Sequence, residues 1–216
     1  MKYFPFFMEL SKKPVLLIGG GEVAERKLDL LLKANAQITI IARDFSDYIT
    51  ELLTLNNIIS IRDSYKKSHL EKEKFSFVIA ATNDESLNSQ IAKDANDRNI
   101  LVNVVDKPEI CDFIFPSILE RGPVTVAVST GGSSPVLARM LRTKLETMIP
   151  GAYGRLAKIV SDNRVPVRGK LKNSKSNRIF WEQMLNSKFV ELVLSGKDND
   201  AVEYLESEIS KFDEEK

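Results

Sequence analysis

The sequence predicts an α/β fold whose first half is a parallel, doubly wound sheet and whose last part is helical. Three observations lead there. The apolar run Val15-Leu16-Leu17-Ile18 empties directly into Gly19-Gly20-Gly21-Glu22-Val23-Ala24. Strand-like apolar runs then alternate with stretches of helical spacing to about residue 105, and beyond Pro150 no further strand of this kind occurs.

Val15–Ile18 has the continuous apolar character of a strand buried on both faces. The spacing Gly19, Gly21, Ala24 fits the dinucleotide-binding pattern of a Rossmann-type sheet, in which Ala can fill the third place. Gly19 permits the tight turn, Gly21 leaves room for a pyrophosphate, and Ala24 lets the helix pack close to the strand. The free N–H groups of the helix opening at Glu22 and Val23 face such an anion. Ala24, Leu28, Leu31 and Leu32 recur at helical spacing, Asn35 ends the helix, and Gln37–Ile41 reads as the second strand.

Asp44, just past that strand, stands about 20 residues beyond the glycines, where an acid accepts hydrogen bonds from the adenosine ribose and favours NAD. Arg43 offers the alternative of a guanidinium for a 2′-phosphate or for stacking on adenine. A solvated turn is the bland account of both residues.

Ile58–Ile61 predicts a third strand and Phe75–Ala81 a fourth. Asp84 caps a helix carrying Leu87, Ile91 and Ala95, which Asn99 closes before the strand Ile100–Val105. Ligands gather at the carboxyl ends of such strands, so Thr82 and Asn83 are candidates to line the cofactor pocket, although a helix-capping loop explains them too. Asp106 is the candidate for chemistry. A carboxylate at a strand's carboxyl end, partly desolvated beside a nicotinamide, can exchange protons near neutral pH. The competing account is a turn cap, with Pro108 keeping the segment a loop.

The pattern changes after Phe113. A charged turn at Glu120-Arg121-Gly122-Pro123 precedes the strand Val124–Val128 and the loop Ser129-Thr130-Gly131-Gly132-Ser133-Ser134. Pro135 suits the first turn of a helix capped by Ser134, and that loop is either a second anion site or a capped turn without a ligand. From Arg155 to Arg178 the chain gathers Arg155, Lys158, Arg164, Arg168, Lys170, Lys172, Lys175 and Arg178 against Asp162 alone. A solvated helical surface accounts for this cluster, with a small polyanion as the candidate partner.

Composition narrows the class. At 216 residues and 43% hydrophobic, the chain has enough apolar material for a core, as one large domain or a nucleotide domain with an appendage. With 31 Lys+Arg against 30 Asp+Glu it has no global field for nucleic acid or a membrane surface. The single cysteine, Cys111, forms no internal disulfide, and no His/Cys cluster suggests a metal ligand set. Met1 to Met8 is apolar but is interrupted by Glu9 too soon for a signal peptide, so the cytoplasm is the expected compartment. The lone histidine, His69, lies in a lysine-rich connector and is expected at the surface.

The sequence resembles the siroheme synthase family, and within it the precorrin-2 dehydrogenase module. The residues that carry this are Phe4-Pro5-Phe6-Phe7, Gly19 through Lys27, Ala80-Ala81-Thr82-Asn83-Asp84, Asn103-Val104-Val105-Asp106, Phe115-Pro116-Ser117 and Ser129 through Arg139. The likeness covers the chain to about Pro150 and continues more weakly through Phe180-Trp181-Glu182. Nothing here matches the methyltransferase half of the fused enzyme, so uroporphyrinogen methylation is expected to be done elsewhere.

The resemblance implies an NAD-binding Rossmann domain over 1–113, a small α+β dimerisation segment over 114–150, a helical carboxyl domain over 151–216, and a homodimer. It implies oxidation of precorrin-2 to sirohydrochlorin with NAD, and in several members insertion of ferrous iron. The family's key aspartate falls on Asp106. Substrate carboxylates are expected at Ser129, Thr130, Gly131, Ser133 and Arg139, with Arg121 and Arg142 as further cations. One departure is Ser129-Thr130 where fused enzymes usually carry Ser-Ser, which puts any role that demands a serine in doubt. The alternative class is a non-catalytic module that senses NAD or a tetrapyrrole.

Overall fold

Residues Val15 to Ile18 point alternately to two covered faces, which is why none of them could be polar. In the computed structural model, which describes residues 2–171 and 173–214 with side chains as far as 212, these residues form the centre of a parallel sheet. Met1, in the amino-terminal apolar stretch, and Lys172, in the basic stretch, lie outside the described residues. By its contacts the chain divides into two units, Met1–Phe115 and Pro116–Lys216, each described by itself.

The first unit has five parallel strands, β1 (Pro14–Ile18), β2 (Gln37–Ala42), β3 (Ile59–Arg62), β4 (Phe77–Ala80) and β5 (Leu101–Val104), in the order β3-β2-β1-β4-β5. Helices α1 (Glu22–Lys33), α2 (Asp47–Leu55) and α3 (Glu85–Asn96) connect them. Val15 and Leu17 pack with Ala24, Leu28 and Leu31 of α1 and Ile49 of α2. Leu16 and Ile18 face the other way, onto Ile91, Ala92 and Ala95 of α3. This is the Rossmann arrangement expected from the alternation, and its strand order reverses between β1 and β4.

Local signals set the helix ends. Asp84 Oδ1 accepts from the Leu87 amide, and Asn35 and Asn99 take the left-handed backbone that closes a helix. Helix α2 was not anticipated from the sequence. Ser46 caps it by accepting from the Ile49 amide, a signal that stands in the chain but opens a helix of only nine residues.

In the second unit, β6 (Ser117–Arg121) and β7 (Val124–Val128) form an antiparallel hairpin around Gly122, whose positive φ makes the tight turn possible. Strand β6 was missed because Pro116 precedes it and two of its five residues are charged. Helix α4 (Pro135–Met148) packs on the hairpin. Helices α5 (Ala152–Lys170), α6 (Ser174–Met184), α7 (Lys188–Leu194) and α8 (Asp198–Glu214) enclose an apolar core that includes Leu156, Phe180, Phe189 and Leu205. Gly154 of α5 lies so close to the Arg121 carbonyl that a Cβ there would collide with it. Segment 116–150 and the helices after it therefore belong to one contact unit, and Phe113 and Phe115 pack in the α1-side core of the first.

Candidate functional site

The glycine turn sits where the sheet order reverses. Gly19 has a φ of 133°, and a Cβ on it would strike the Ala81 carbonyl, so only glycine fits. Gly20 is equally constrained, since a Cβ would strike the Asp44 carbonyl. This second contact was not visible in the sequence, because it depends on the β2–α2 loop lying against the turn. The Gly19 amide donates to Ile41 O at 2.9 Å and the Ser46 amide donates to Gly20 O at 2.9 Å, which locks the two segments together.

Gly21 differs from both. A Cβ there would meet nothing within 4 Å, so the space in front of it is open. Gly21 is also the N-cap of α1 and provides no side-chain cap, leaving the amides of Glu22, Val23 and Ala24 without partners inside the helix. An uncapped helix start facing free space fits a dinucleotide pyrophosphate. Glu22 itself is turned to Arg26, at 3.1 Å, and Ala24 is fully buried against the sheet.

Beside the turn, Arg43 and Asp44 are both exposed. Arg43 Nε donates to Ser64 Oγ at 2.9 Å, tying it to the segment after β3, while the Asp44 carboxylate has no hydrogen-bond partner among the described residues. Asp44 is thus the available acceptor at the corner where a ribose would lie.

A cleft of about 250 Å³ opens along the carboxyl edge of β1, β4 and β5, lined by Val23, Ala81, Thr82, Asn83, Asp106 and Lys107 among others. Sequence reasoning missed one of its walls, Asn88, which is 4% exposed. Asn88 Nδ2 donates to Thr82 O at 2.9 Å, and its Oδ1 accepts from the Thr82 amide at 3.2 Å and hydroxyl at 2.8 Å. The Thr82 hydroxyl is therefore committed to shaping its own loop, whereas Asn83 is exposed on the cleft wall.

Asp106 lines the same cleft as Val23, Thr82 and Asn83. Its backbone is left-handed, at φ 61°, inside a turn closed by the Lys107 amide donating to Val104 O. The Cys111 thiol braces that turn from behind, accepting from the Val104 amide at 3.1 Å and lying 3.2 Å from the Lys107 carbonyl. The Asp106 carboxylate caps nothing among the described residues. It is exposed, so the partial desolvation expected for it is not supplied by the chain as it stands.

The residues expected to hold substrate carboxylates lie on the second unit. Thr130 Oγ1 accepts from the Ser134 amide and lies 3.0 Å from Ser134 O, the Gly131 amide donates to Ser129 Oγ, and the Ser133 amide donates to Thr130 O. Ser134 caps α4 through the Leu137 amide. This loop spends much of its hydrogen-bonding capacity on itself, and Thr130 serves the turn as a serine would. Arg121 Nε donates to Ile149 O, and Arg142 pairs with Glu146. Arg139 is exposed and carries no ion pair among the described residues.

Two further expectations meet the structure here. His69 is not at the surface. It is 6% exposed, in a 3-10 turn over Lys67–Glu71, and its Nδ1 accepts from the Lys66 amide at 3.0 Å. In the basic stretch, Arg155 pairs with Asp198, Lys158 with Asp162 and Arg178 with Glu182, while Arg164, Arg168, Lys170 and Lys175 are exposed. Among the described residues no helix is long and apolar enough to cross a membrane.

The glycine turn, its open front and the cleft coincide with a family match. NAD_binding_7, described as "Putative NAD(P)-binding", matches residues 6–117. The chain belongs to this family. Two further families match later segments: "Sirohaem biosynthesis protein central" over 121–148 and "Sirohaem synthase dimerisation region" over 152–209. The name dimerisation region thus falls on the helical segment, whereas the likeness noted above places dimerisation over 114–150.

The chain is also similar to curated relatives along most of its length. The chain is 44% identical over 209 residues to a siroheme synthase of Psychrobacter cryohalolentis, covering 97% of this chain and 40% of that protein. It is 43% identical over 206 residues to a siroheme synthase of Nitrosomonas europaea, covering 95% and 43%, and 47% identical over 201 residues to that of Methylococcus capsulatus, covering 93% and 42%. The chain therefore spans about two fifths of the length of these relatives. Among solved structures, "SirC, precorrin-2 dehydrogenase" superposes with a TM-score of 0.79 at 22% identity, covering 95% of this chain and 100% of that one, so the fold is shared along its whole length.

Proposed function

We propose that the protein is an NAD-dependent precorrin-2 dehydrogenase of siroheme biosynthesis. The observation that carries this is the single cleft that joins the first turn of α1 to Asp106, with Thr82 and Asn83 between them. The relatives named siroheme synthase and the neighbour named precorrin-2 dehydrogenase support the choice of substrate.

Gly19 and Gly20 hold the turn, the open front of Gly21 and the uncapped α1 amides receive the pyrophosphate, and Asp44 accepts from the ribose hydroxyls. When bound, NAD supplies the hydride acceptor. Oxidation of precorrin-2 to sirohydrochlorin removes one hydride and one proton, and Asp106 takes that proton from the substrate edge placed in the cleft. The left-handed turn aims the carboxylate, and the Cys111 brace keeps the turn from relaxing. Asn88, by holding Thr82 through both backbone groups, keeps the cleft wall in one shape. Ser129, Thr130, Gly131, Ser133 and Arg139 are proposed contacts for the substrate rim.

The division into a Rossmann domain over 1–113, a dimerisation segment over 114–150 and a helical domain over 151–216 belongs to the same proposal, as do a cytoplasmic location and a homodimer. Helix α4 supports the homodimer: Val136 is 65% exposed, Met140 47% and Met148 69%, an apolar display of the kind that a second copy covers. Ferrous iron is proposed as a second substrate, with Asp106 receiving pyrrole protons as the metal enters.

The deciding experiment is anaerobic. Protein, NAD and precorrin-2 are mixed, and NADH and the tetrapyrrole absorption are followed together; equal formation of NADH and sirohydrochlorin is expected. Absence of NADH formation removes dehydrogenation and leaves the sensing module. Ferrous ion added to preformed sirohydrochlorin, against a control without protein, tests insertion separately.

A further inference from the structure

Lys27 is a half-buried cation without an anion. Its ammonium stands 3.9 Å from the centre of the Phe115 ring, and no carboxylate among the described residues pairs with it. Phe115 is itself held edge-on by Phe113, which packs edge-on against Phe77 of β4, so the surface beneath the ammonium is apolar and fixed. Burial lowers the lysine's affinity for its proton, and Arg26 adds to this, while Cys111 and Asp106 act in the opposite direction. A cation stripped of part of its water and facing a ring regains only part of the lost hydration from that ring.

The location gives this cation a use. Lys27 follows Val23 by four residues on α1, so both side chains lie on one stripe of the helix, about 6 Å apart along its axis. Val23 lines the cleft, and Asp106 of that same cleft is the carboxylate whose charge favours the Lys27 ammonium, as the smallest of the influences on it. The other cations at this edge are engaged: Arg26 with Glu22, Lys107 with Glu85 and Arg43 with Ser64. Lys27 is the one left for an incoming anion among the described cations here.

We propose that Lys27 binds a carboxylate of the tetrapyrrole substrate and thereby sets the macrocycle against Asp106. The inference rests on the tetrapyrrole function proposed above. A cofactor phosphate has the same anionic oxygens, but it meets the open amides at the start of α1, whereas Lys27 lies a full turn further along the helix, over the Phe115 ring. Precorrin-2 and sirohydrochlorin both carry acetate and propionate groups around the rim, so the same contact forms with substrate and product. The ammonium then gains a charge-assisted hydrogen bond in a partly desolvated setting, where such bonds are strongest.

The test compares the full-length wild type with Lys27→Met and Lys27→Arg. Sirohydrochlorin is titrated into each while its absorption and fluorescence are followed, NAD is titrated separately, and thermal unfolding and molecular mass are measured on the same samples. Lys27→Met is expected to weaken sirohydrochlorin binding at least about tenfold, with NAD binding unchanged and Lys27→Arg recovering most of the loss. Equal sirohydrochlorin binding by wild type and Lys27→Met overturns the proposal. Loss of NAD affinity instead assigns Lys27 to a cofactor phosphate, and loss of mass or melting temperature with binding intact assigns it to a carboxylate of the protein itself; both overturn it. Failure of the wild type to bind sirohydrochlorin at all brings down the tetrapyrrole function, a result distinct from every one of these.

Discussion

Asn88 holds Thr82 by both backbone groups and by its hydroxyl, with distances of 2.9, 3.2 and 2.8 Å, and so one buried side chain on α3 dictates the shape of the loop after β4. Asn88→Ala leaves the Thr82 amide and carbonyl seeking other partners. A loss of about 1–3 kcal/mol of stability is expected, together with weaker NAD binding. Denaturant unfolding and an NAD titration measure the two effects, and unchanged NAD affinity would deny the loop a part in the cofactor site.

The adjacent glycines should separate folding from binding. Gly20→Ala drives a methyl into the Asp44 carbonyl and is expected to cost about 1–3 kcal/mol of stability. Gly21→Ala meets open space at an ordinary φ of −103°, so stability should hold while the methyl intrudes where the pyrophosphate belongs. Paired melting curves and NAD titrations of the two variants provide the check.

Asp106→Asn keeps a residue tolerant of the left-handed turn and removes the proton acceptor. Turnover should fall by about 10²-fold or more with NAD affinity and melting temperature preserved. Single-turnover NADH formation tests this, and full retention of rate would remove Asp106 from the chemistry.

His69 makes stability depend on pH. Burial, with Lys72 as the next cause, lowers its pKa below the ordinary 6.5, and Nδ1 accepts from the Lys66 amide only when the ring is unprotonated there. The unfolded chain therefore binds the proton more readily. This contribution to stability is whole above about pH 6.5 and drains away as pH falls toward and through the lowered folded value. Unfolding midpoints measured across that window should drop in the wild type, and His69→Gln should flatten this part of the profile.

Helix α4 provides the test of assembly. Val136 and Met140 lie one turn apart with their side chains exposed, and replacing both by Glu places two charges in the proposed contact between copies. Light scattering should report a shift from dimer toward monomer. Unchanged mass moves the contact to another surface, such as the helical segment that matches the dimerisation region.

Much of the first unit was legible because its signals are local. Gly19 to Ala24, the apolar runs of β1, β2 and β4, and the caps Asp84 and Asn99 each announce an element within a few residues of themselves. What escaped was either short or non-local. Helix α2 rests on one Ser46 cap and nine residues, and β6 is a strand only because β7 folds back on it. The burial of His69 could not be inferred from its lysine-rich neighbours, because it depends on how the turn carrying it packs.

The order of apolar runs, glycines and caps along the chain was enough to dictate a Rossmann sheet, a dinucleotide turn and a carboxylate at the end of β5, since each follows from chemistry within one turn or one strand. The contacts of Gly20, Asn88 and Lys27 were decided only by tertiary structure. Each of these residues acts through a partner far away in sequence or on another element, the Asp44 carbonyl, the Thr82 loop and the Phe115 ring, and it is folding that brings those partners within reach.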